Sequence, residues 1–439
     1  FEIKNGFGKK DKSFIEFGYR KKVNDSIVNS SLKNVNYSDS YFIDSQLLNG
    51  NNSKLNIYVN QNKLVSRLNN RSDNYLNTRL IYNQKIFKNI INSNLFFETN
   101  SGNLPQQEYT FLEVEPGLGS YKWIDVNQNN IQELEEFEIA IFEDEGRYIR
   151  VLLPNQIFIK TYQNKLNYSL GLNFSKLKNS NSRLQKLISK FSNQFQYSID
   201  KKTNLDINPE IEINPFKLEK ENLLAYSYNL KNILYINKSK QKYSAIFTYF
   251  ENESKNNFSF GSTRNSQNYK RINLIHRANE VYLIEFVANK ERSSSRSENY
   301  LEKNYILEKE QLNPTLTYLA GNNNRINFLY KLSKINNLLG NQEFLDQQQF
   351  GLSVYLNQKQ NRGFVSEFNY FKNEFNGDIN SIISYVMMNG LQNGENYTWS
   401  LRFQQKISKL LDLNFVYYGR KSQNSRTIHN GSIQLKAIF

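Results

Sequence analysis

The chain has 439 residues but contains no cysteine and only two histidines. Without cysteine it has no disulfide framework, no thiolate metal site and no cysteine nucleophile. It also lacks a G-x-S-x-G motif and a glycine-rich phosphate-binding loop, and no serine stands out as a partner for His276. The sequence therefore predicts a protein that is not an enzyme.

Long apolar runs are absent as well. No stretch approaches the roughly 18 apolar residues that a membrane-spanning helix needs, and hydrophobic residues make up only 38% of the chain. A soluble all-β protein of this length would need a two-sided core rich in Val, Ile and Leu, whereas here the apolar residues are spread thinly, as in a barrel with a polar lumen. If the chain crosses a membrane, it does so as strands of a closed barrel, because backbone groups in lipid must be paired.

The chain contains many segments in which apolar and polar residues alternate. In the segment 165–175, K-L-N-Y-S-L-G-L-N-F-S, every second residue is apolar, and this period of two predicts a β-strand. The strands predicted after residue 224 are mostly about eight to eleven residues long, longer than usual soluble strands. They include S-I-I-S-Y-V-M-M at 381–388 and two separate strands at 298–308 and 314–320. The pattern predicts an all-β fold, a transmembrane antiparallel up-and-down β-barrel of roughly 16–20 strands.

Two further features of this pattern bear on the barrel. Tyr and Phe are abundant, with 29 and 31 copies, and recur near the predicted strand ends, where aromatic girdles lie in membrane barrels. The segment 182–191, S-R-L-Q-K-L-I-S-K-F, has helical spacing instead. It predicts either a short amphipathic helix on a turn or a run into the next strand.

The last residues, T-I-H-N-G-S-I-Q-L-K-A-I-F, alternate regularly from Ser432 onward. Ile433, Leu435, Ala437 and Phe439 fall on one face. This segment resembles the closing strand of Gram-negative outer-membrane barrels, which ends in Phe. The resemblance implies an outer-membrane location, and the alternative is an edge strand of a soluble β domain. Because the sequence opens on Phe1, we expect a mature chain or a part of a longer protein.

Residues 101–156 interrupt the strand pattern with an acidic segment. From Glu113 to Gly146 there are ten Asp or Glu and one basic residue, Lys122, so this stretch carries a charge of −9 while the rest of the chain carries +24, for a total of +15. The sequence therefore predicts barrel strands at 1–100, an acidic insert at 101–156, and further barrel strands at 157–439.

Within the insert, D-V-N-Q-N-N-I-Q-E-L-E-E follows the spacing of a twelve-residue calcium loop. Hard oxygen donors at every second position, closed by a carboxylate that binds through both oxygens, suit Ca²⁺. Asn130 stands where such loops usually have Gly, and Asn is the next best residue for a left-handed backbone. A structural Ca²⁺ is therefore expected, with a solvated acidic loop as the alternative. The predicted metal ligands are Asp125, Asn127, Asn129, Ile131 (through its carbonyl), Glu133 and Glu136.

The segments 117–138 and 148–151, together with the C-terminal segment, resemble parts of large, poorly characterised Bacteroidota surface proteins that end in an outer-membrane barrel. The resemblance covers about a tenth of the chain. It implies an outer-membrane setting and a membrane-embedded part of a longer protein or assembly. It implies no reaction.

The net charge of +15 does not indicate nucleic-acid binding, because the basic residues form no block and no RNA-binding motif is present. The expected contacts are outer-membrane lipid and lipopolysaccharide, whose headgroups are anionic, and other envelope proteins. The sequence therefore predicts a non-enzymatic barrel in a cell-envelope transport, export or assembly system, whose insert plugs the lumen, caps it or docks a partner. The alternatives are a diffusive porin and a secreted β-rich adhesin or binding protein.

Overall fold

The structure, a computed structural model, describes residues 1–28, 30–67, 71–105, 108–153, 158–178, 182–206, 212–217, 222–238, 242–258, 261–298, 300–321, 323–358, 362–408, 410–423 and 425–437. These residues form two compact units. The first comprises Phe1–Gln107, Pro154–Leu234 and Phe250–Ser262, and the second comprises Glu108–Leu153, Tyr235–Tyr249 and Thr263–Phe439.

The described residues are predominantly β-strand. Nineteen strands belong to one antiparallel sheet, and four short ones, β7 to β10, form a second sheet. The strands are β1 (Glu2–Gly8), β2 (Phe14–Val28), β3 (Ser31–Asn49), β4 (Ser53–Ser66), β5 (Arg71–Ile86), β6 (Ile91–Pro105), β7 (Glu108–Glu113), β8 (Tyr121–Trp123), β9 (Phe137–Ile139), β10 (Tyr148–Leu153), β11 (Phe158–Asn173), β12 (Phe191–Asn204), β13 (Leu223–Ile236), β14 (Tyr243–Phe258), β15 (Gly261–Arg277), β16 (Tyr282–Ser297), β17 (Tyr305–Ala320), β18 (Asn324–Asn337), β19 (Phe344–Gln358), β20 (Arg362–Asn376), β21 (Gly394–Ser408), β22 (Leu411–Ser422) and β23 (Ile428–Ala437).

Helical segments are few and short. They are α1 (Arg183–Ile188), α2 (Ile382–Met387) and 3-10 turns at Leu134–Glu136, Glu143–Glu145, Phe174–Leu177 and Leu301–Lys303. Across the described ranges, no helix combines the length and the apolar content needed to cross a membrane.

In the first unit, β1 to β6 pair in chain order, each strand antiparallel to the next. β6 then pairs with β11, so the chain between them leaves the sheet and returns to the neighbouring position. β11 in turn pairs with β12. One row of facing residues stays apolar across these pairs: Phe97 faces Leu166, which faces Ile199. The alternation read from the sequence thus becomes a consistent face of the sheet.

In the second unit, β15 to β23 also pair in chain order and antiparallel. The predicted all-β, antiparallel, up-and-down fold is confirmed, and the 19 strands lie within the predicted number. The predicted strand lengths were too short, because β15 to β21 have 14 to 17 residues. Backbone pairing continues through polar residues on both faces, so the apolar pattern marked only the middle of each strand.

The segment 381–388, predicted as a strand, contains helix α2 instead. The Ser381 side chain accepts a hydrogen bond from the Ser384 N–H at 3.1 Å and so caps the helix. Ile383 and Met387, four positions apart, are buried in a core cluster with Leu345 and Phe375. The period of a short, mostly apolar run does not distinguish a strand from a helix. Here the packing of the i, i+4 pair Ile383 and Met387 favours the helix.

The predicted strands at 298–308 and 314–320 are one strand, β17, preceded by the 3-10 turn Leu301–Lys303. Pro314 lies inside β17, opposite Phe286 of β16, and the pairing of β17 with β18 omits Asn313 and Pro314. Proline lacks an N–H, so it interrupts one ladder locally without ending the strand.

The segment 182–191 contains both predicted alternatives, a short helix followed by the start of the next strand. Helix α1 occupies Arg183–Ile188, and β12 begins at Phe191.

The C-terminal strand is β23, and its Ile433 and Leu435 share a face and are 73% and 60% exposed. The predicted terminal residues Ile438 and Phe439 lie outside the described residues.

Gly419 is required where β21 and β22 meet. The Trp399 ring lies across it, and a Cβ at position 419 would fall 2.1 Å from a ring atom. We expect Gly419→Ala to lower the free energy of unfolding by about 1–3 kcal/mol, because the indole must move. Thermal unfolding of the purified chain measures this. Gly363→Ala, which meets no atom within 4 Å, is the control; an equal midpoint shift in both variants would contradict the packing.

Candidate functional site

The acidic insert folds around β7 to β10. β10 pairs antiparallel with β7 and meets β8 at Tyr148 and Tyr121, and β8 pairs with β9. Aromatic rings fill one side of this small sheet: Phe111 stacks on Phe137 with ring centroids 4.0 Å apart. Tyr121 and Tyr148 meet these rings edge-on. The insert therefore has an apolar centre of its own beneath its acidic surface.

The predicted metal-binding residues form a compact loop between β8 and β9. Asp125 accepts hydrogen bonds from the N–H groups of Asn129 and Asn130, at 3.2 and 2.9 Å. Asn127 Oδ1 accepts one from the Asn129 N–H at 3.1 Å, and Asn129 Oδ1 accepts one from the Ile131 N–H at 2.7 Å. Asn130 adopts the left-handed conformation, with φ of 57°. These side chains hold the turn through the loop's own amides.

The two glutamates of the loop have other partners. Glu136 is fully buried and accepts hydrogen bonds from Trp123 Nε1–H at 2.8 Å, from the Val126 N–H at 3.1 Å and from the Glu133 N–H at 3.4 Å. Glu133 accepts from the Asn127 amide at 2.8 Å. Three N–H donors thus stabilise the buried carboxylate without a cation.

The fit of these residues to Ca²⁺ is partial. Oxygen donors are present, but Glu136 would have to exchange N–H donors for the ion to bind it through both oxygens. Within the described ranges, no group of three or more His, Asp or Glu side chains is arranged to hold a metal ion. Calcium binding therefore stays a prediction.

One edge of the insert binds the connection between β16 and β17. Tyr300 donates a hydrogen bond to Glu133 at 2.6 Å, and Ser297 donates one to Glu135 at 2.8 Å. Lys303, with only 12% of its side chain exposed, pairs with Glu138 at 2.6 Å and also donates to the Glu135 carbonyl. The acidic residues next to the loop are thus anchored by a largely buried cation.

A second anchor is Arg420 of β22. Its guanidinium contacts Asp144 at 2.7 Å and Glu145 at 3.1 Å, and only 16% of its side chain is exposed. It also lies 4.0 Å from the ring centroid of Phe142. One planar cation therefore engages three residues within the segment 142–145, a geometry that the guanidinium allows and an ammonium does not.

Neighbouring polar contacts complete this second anchor. Tyr385, in α2, donates to Glu145 at 2.7 Å and accepts from the Ile141 N–H at 3.2 Å. Asn430 of β23 donates to Glu143 at 3.3 Å. Phe142 packs against the core cluster that holds α2. The insert is therefore fixed by apolar packing as well as by charge.

Burial raises the pKa of both anchoring phenols. For Tyr300, burial is the main cause, and the hydrogen bond to the Glu133 carboxylate adds to it. For Tyr385, burial again dominates, and Glu145 raises the pKa further while the Ile141 N–H and Arg420 lower it. Each phenol is therefore held protonated as a hydrogen-bond donor to a carboxylate.

The insert lies against the polar face of the second unit's sheet. A cavity of about 370 Å³ separates insert residues 141–144 from strand side chains on that face. The strand residues that line it include Glu367, Asn369, Thr398, Ser400, Arg402 and Asn430. The lining is mixed, because Ile141, Phe142, Trp399 and Ile428 border the cavity beside these polar residues.

The anchoring residues Tyr300, Lys303, Tyr385 and Arg420 were not predicted from the sequence. The available signal was the charge imbalance between the insert, at −9, and the remaining chain, at +24. That imbalance indicates that cations elsewhere in the chain bind the insert, but it does not say which.

No protein-family model and no curated protein sequence matches the chain. Among solved structures, it is similar to the FrpB iron transporter from Neisseria meningitidis, with 12% identity and a TM-score of 0.39 over 98% of this chain and 72% of that one. It is also similar to Pseudomonas aeruginosa OpdQ, with 12% identity and a TM-score of 0.34 over 98% of both chains. A third is OmpT, an outer membrane protein of Vibrio cholerae, with 10% identity and a TM-score of 0.29 over 83% and 88%. These similarities are weak, so function must be argued from the chain's own residues.

Removing the Arg420 charge should release the insert. Arg420→Gln leaves Asp144 and Glu145 without their shared cation, which we expect to cost about 2–3 kcal/mol. Limited proteolysis within 108–153 should then be roughly 30- to 150-fold faster. Lys421→Gln, on the opposite face of the same strand, is the control. Equal cleavage rates in the Arg420 variant and the unchanged chain would contradict the anchor.

Alkaline pH should also loosen the insert. A raised pKa in the folded state means that the unfolded phenol, with a pKa near 10, loses its proton first. The contribution of Tyr300 and Tyr385 is thus complete below about pH 10 and is lost as pH rises beyond it. Emission from Trp123, in a Trp399→Phe background, should shift as the pH passes 10. The shift should be smaller in Tyr300→Phe/Tyr385→Phe, and an unchanged shift would show that the phenols are not responsible.

Proposed function

We propose that the chain forms a closed, non-enzymatic outer-membrane β-barrel that takes part in transport, with the acidic insert lying against its polar lumen. The observation that carries this proposal is the chemical division between the two faces of the second unit's sheet. One face is apolar and solvent-exposed, and the other is polar and carries the insert.

The apolar face forms a continuous band across neighbouring strands. Phe328, Leu352 and Phe368 lie opposite one another on β18, β19 and β20, and each is more than a third exposed. On β19 the band runs from Phe350 to Leu356, six residue steps or roughly 20 Å. That is close to the ~25 Å apolar band of outer-membrane barrels, whereas soluble proteins rarely expose such a patch.

Aromatic side chains border this band. Tyr330, Phe350, Tyr370 and Tyr397 follow one another across four strands, with successive ring centroids 4.6, 6.3 and 5.2 Å apart. Tyr282 and Tyr318 form a further pair, 5.6 Å apart. Rows of this kind suit the membrane–water interface, where a ring has one apolar and one hydrated side. Lipid then requires the sheet to close, because no backbone edge can stay unpaired there.

The connections between strands suggest which side of the membrane the insert faces. In the second unit, the connections on the insert's side, between β16 and β17, β18 and β19, β20 and β21, and β22 and β23, are longer than those at the opposite edge. Outer-membrane barrels have short periplasmic turns and longer extracellular loops. We therefore place the insert on the extracellular side.

The finer predictions from the sequence remain part of this proposal. The Bacteroidota family is supported by the quoted segments alone, and contacts with lipopolysaccharide and other envelope proteins are inferred from charge and setting. A diffusive porin would use the insert only as a constriction. A secreted adhesin would leave the apolar face in water, which is costly.

Calcium at the loop of Asp125, Asn127 and Asn129 also remains proposed. An ion there would offset repulsion among the carboxylates and order the insert. Support comes from the oxygen donors held on one turn, of which Asp125 and Glu136 also accept hydrogen bonds from N–H groups.

Envelope fractionation tests the membrane proposal. The chain is expressed with a signal peptide, and heated and unheated detergent samples are compared on a semi-native gel. We expect recovery in the outer-membrane fraction and a band whose mobility changes on heating, because a closed barrel resists unfolding in detergent. Recovery in the soluble fraction without a mobility change would support the adhesin and contradict the barrel.

The calcium proposal predicts that Ca²⁺ slows proteolysis of residues 108–153, because a ligand that binds only the folded loop stabilises it. Asp125→Asn should abolish the Ca²⁺ effect while leaving the rate in a chelator nearly unchanged. A proteolysis rate in the unchanged chain that does not respond to Ca²⁺ would show that the carboxylates act through N–H groups and the two anchors alone.

A further inference from the structure

We infer that a cavity at the edge of the insert binds a short, uncharged oligosaccharide. The cavity has a volume of about 850 Å³ and is bordered by Lys122 and Trp123 of the insert, by the connection from β20 to β21 that contains α2, and by the connection from β22 to β23. Small-molecule sites have volumes of roughly 300–1,000 Å³. The inference deepens the proposed function and rests on it, because only an extracellular insert places this cavity where it meets solutes from outside the cell.

The charged side chains that line the cavity are already paired. Lys122 lies 3.6 Å from Glu145, and its ammonium is 4.6 Å from the ring centroid of Tyr385. Arg420 contacts Glu145 at 3.1 Å and Asp144 at 2.7 Å. The two cations are thus matched by two carboxylates in direct contact with them. A charged ligand would have to compete with these pairs, so the lining favours an uncharged one.

Uncharged side-chain amides supply the hydrogen-bonding groups that a ligand can use. Asn380, Gln392 and Gln423 line the cavity and are exposed, so solutes reach them from solvent. Within the described ranges, the side-chain amides of Asn380 and Gln392 form no hydrogen bond with the chain. Gln423 uses its oxygen alone, which accepts from the Glu395 N–H at 3.5 Å. Each amide can both donate and accept, as sugar hydroxyls do.

An indole ring gives the cavity an apolar wall. Trp123 is half-buried, and its Nε1–H donates to the buried Glu136 carboxylate at 2.8 Å, which holds the ring in place. Ile124, Met388 and Leu391 continue the apolar lining. The face of an aromatic ring carries negative partial charge and attracts C–H groups such as those of a sugar ring. Apolar walls together with uncharged amides suit an oligosaccharide, whereas a wholly apolar ligand would leave the amides unpaired.

Titration with defined trisaccharides tests this inference. The full chain is kept folded in a detergent without a sugar headgroup, and Trp123 emission is recorded in the Trp399→Phe background. The neutral probes are maltotriose, laminaritriose and tri-N-acetylchitotriose, and the charged probe is trigalacturonate. We expect a saturable change in emission with at least one neutral probe, because the indole borders the cavity.

Two double variants in the same background identify the site. Asn380→Ala/Gln392→Ala should raise the dissociation constant of that probe about tenfold, because two ligand hydrogen bonds are lost. The chain should keep its fold, since neither amide bonds to it. Asn336→Ala/Gln348→Ala is the matched control, because both side chains are exposed on the apolar face of β18 and β19 and lie outside the cavity.

The outcomes separate the two proposals. No saturable change with any neutral probe, equal dissociation constants in the two double variants, or tighter binding of trigalacturonate would overturn the oligosaccharide site. If the chain then fractionates as a heat-modifiable barrel, the proposed barrel stands without the site. Trisaccharide binding by a chain recovered in the soluble fraction would instead overturn the barrel and leave the site in place.

Discussion

The structure depends on the alternation of side chains along paired β-strands. Each residue of a strand points to the opposite face from its neighbours, and registered pairing aligns these faces across the sheet. In the second unit, this alignment brings Phe328, Leu352 and Phe368 into one apolar band while placing Asn327, Ser353 and Glu367 on the other face. A single one-residue slip would exchange the faces. The long strands, of 14 to 17 residues, make such a slip costly.

The insert follows from the same division. Ten acidic residues cannot lie against an apolar surface, but they can lie against a polar face that supplies Arg420 and, at its edge, Lys303. Both cations are largely buried, and both meet carboxylates with direct hydrogen-bonding geometry. Phe142 adds apolar packing at the second anchor. Charge selects the surface on which the insert lies, and the hydrogen bonds and packing fix its position there.

Much of the sheet could be predicted from the sequence, because the period of two is local. The strand ends were harder to predict, because polar residues extend the paired strands beyond the apolar pattern. Helix α2 was not predicted, because Ile383 and Met387 are apolar residues that suit a strand as well as a helix. The anchors could not be found from spacing at all: Arg420 and Asp144 are 276 residues apart in sequence. The spacing at 125–136 predicted a calcium loop, and two of the three N–H donors to Glu136 lie within it. The third donor, Trp123, lies outside the loop pattern and could not be found from that spacing.

In the proposed barrel, one face of the sheet contacts lipid and the other contacts water. Because the chain has no cysteine, single-cysteine variants report this directly. A fluorophore attached to Leu352→Cys or to Ser353→Cys, adjacent on β19, is examined in bilayers with brominated lipid and with aqueous iodide. We expect quenching by brominated lipid at position 352 and by iodide at position 353. Iodide quenching at both positions would contradict it.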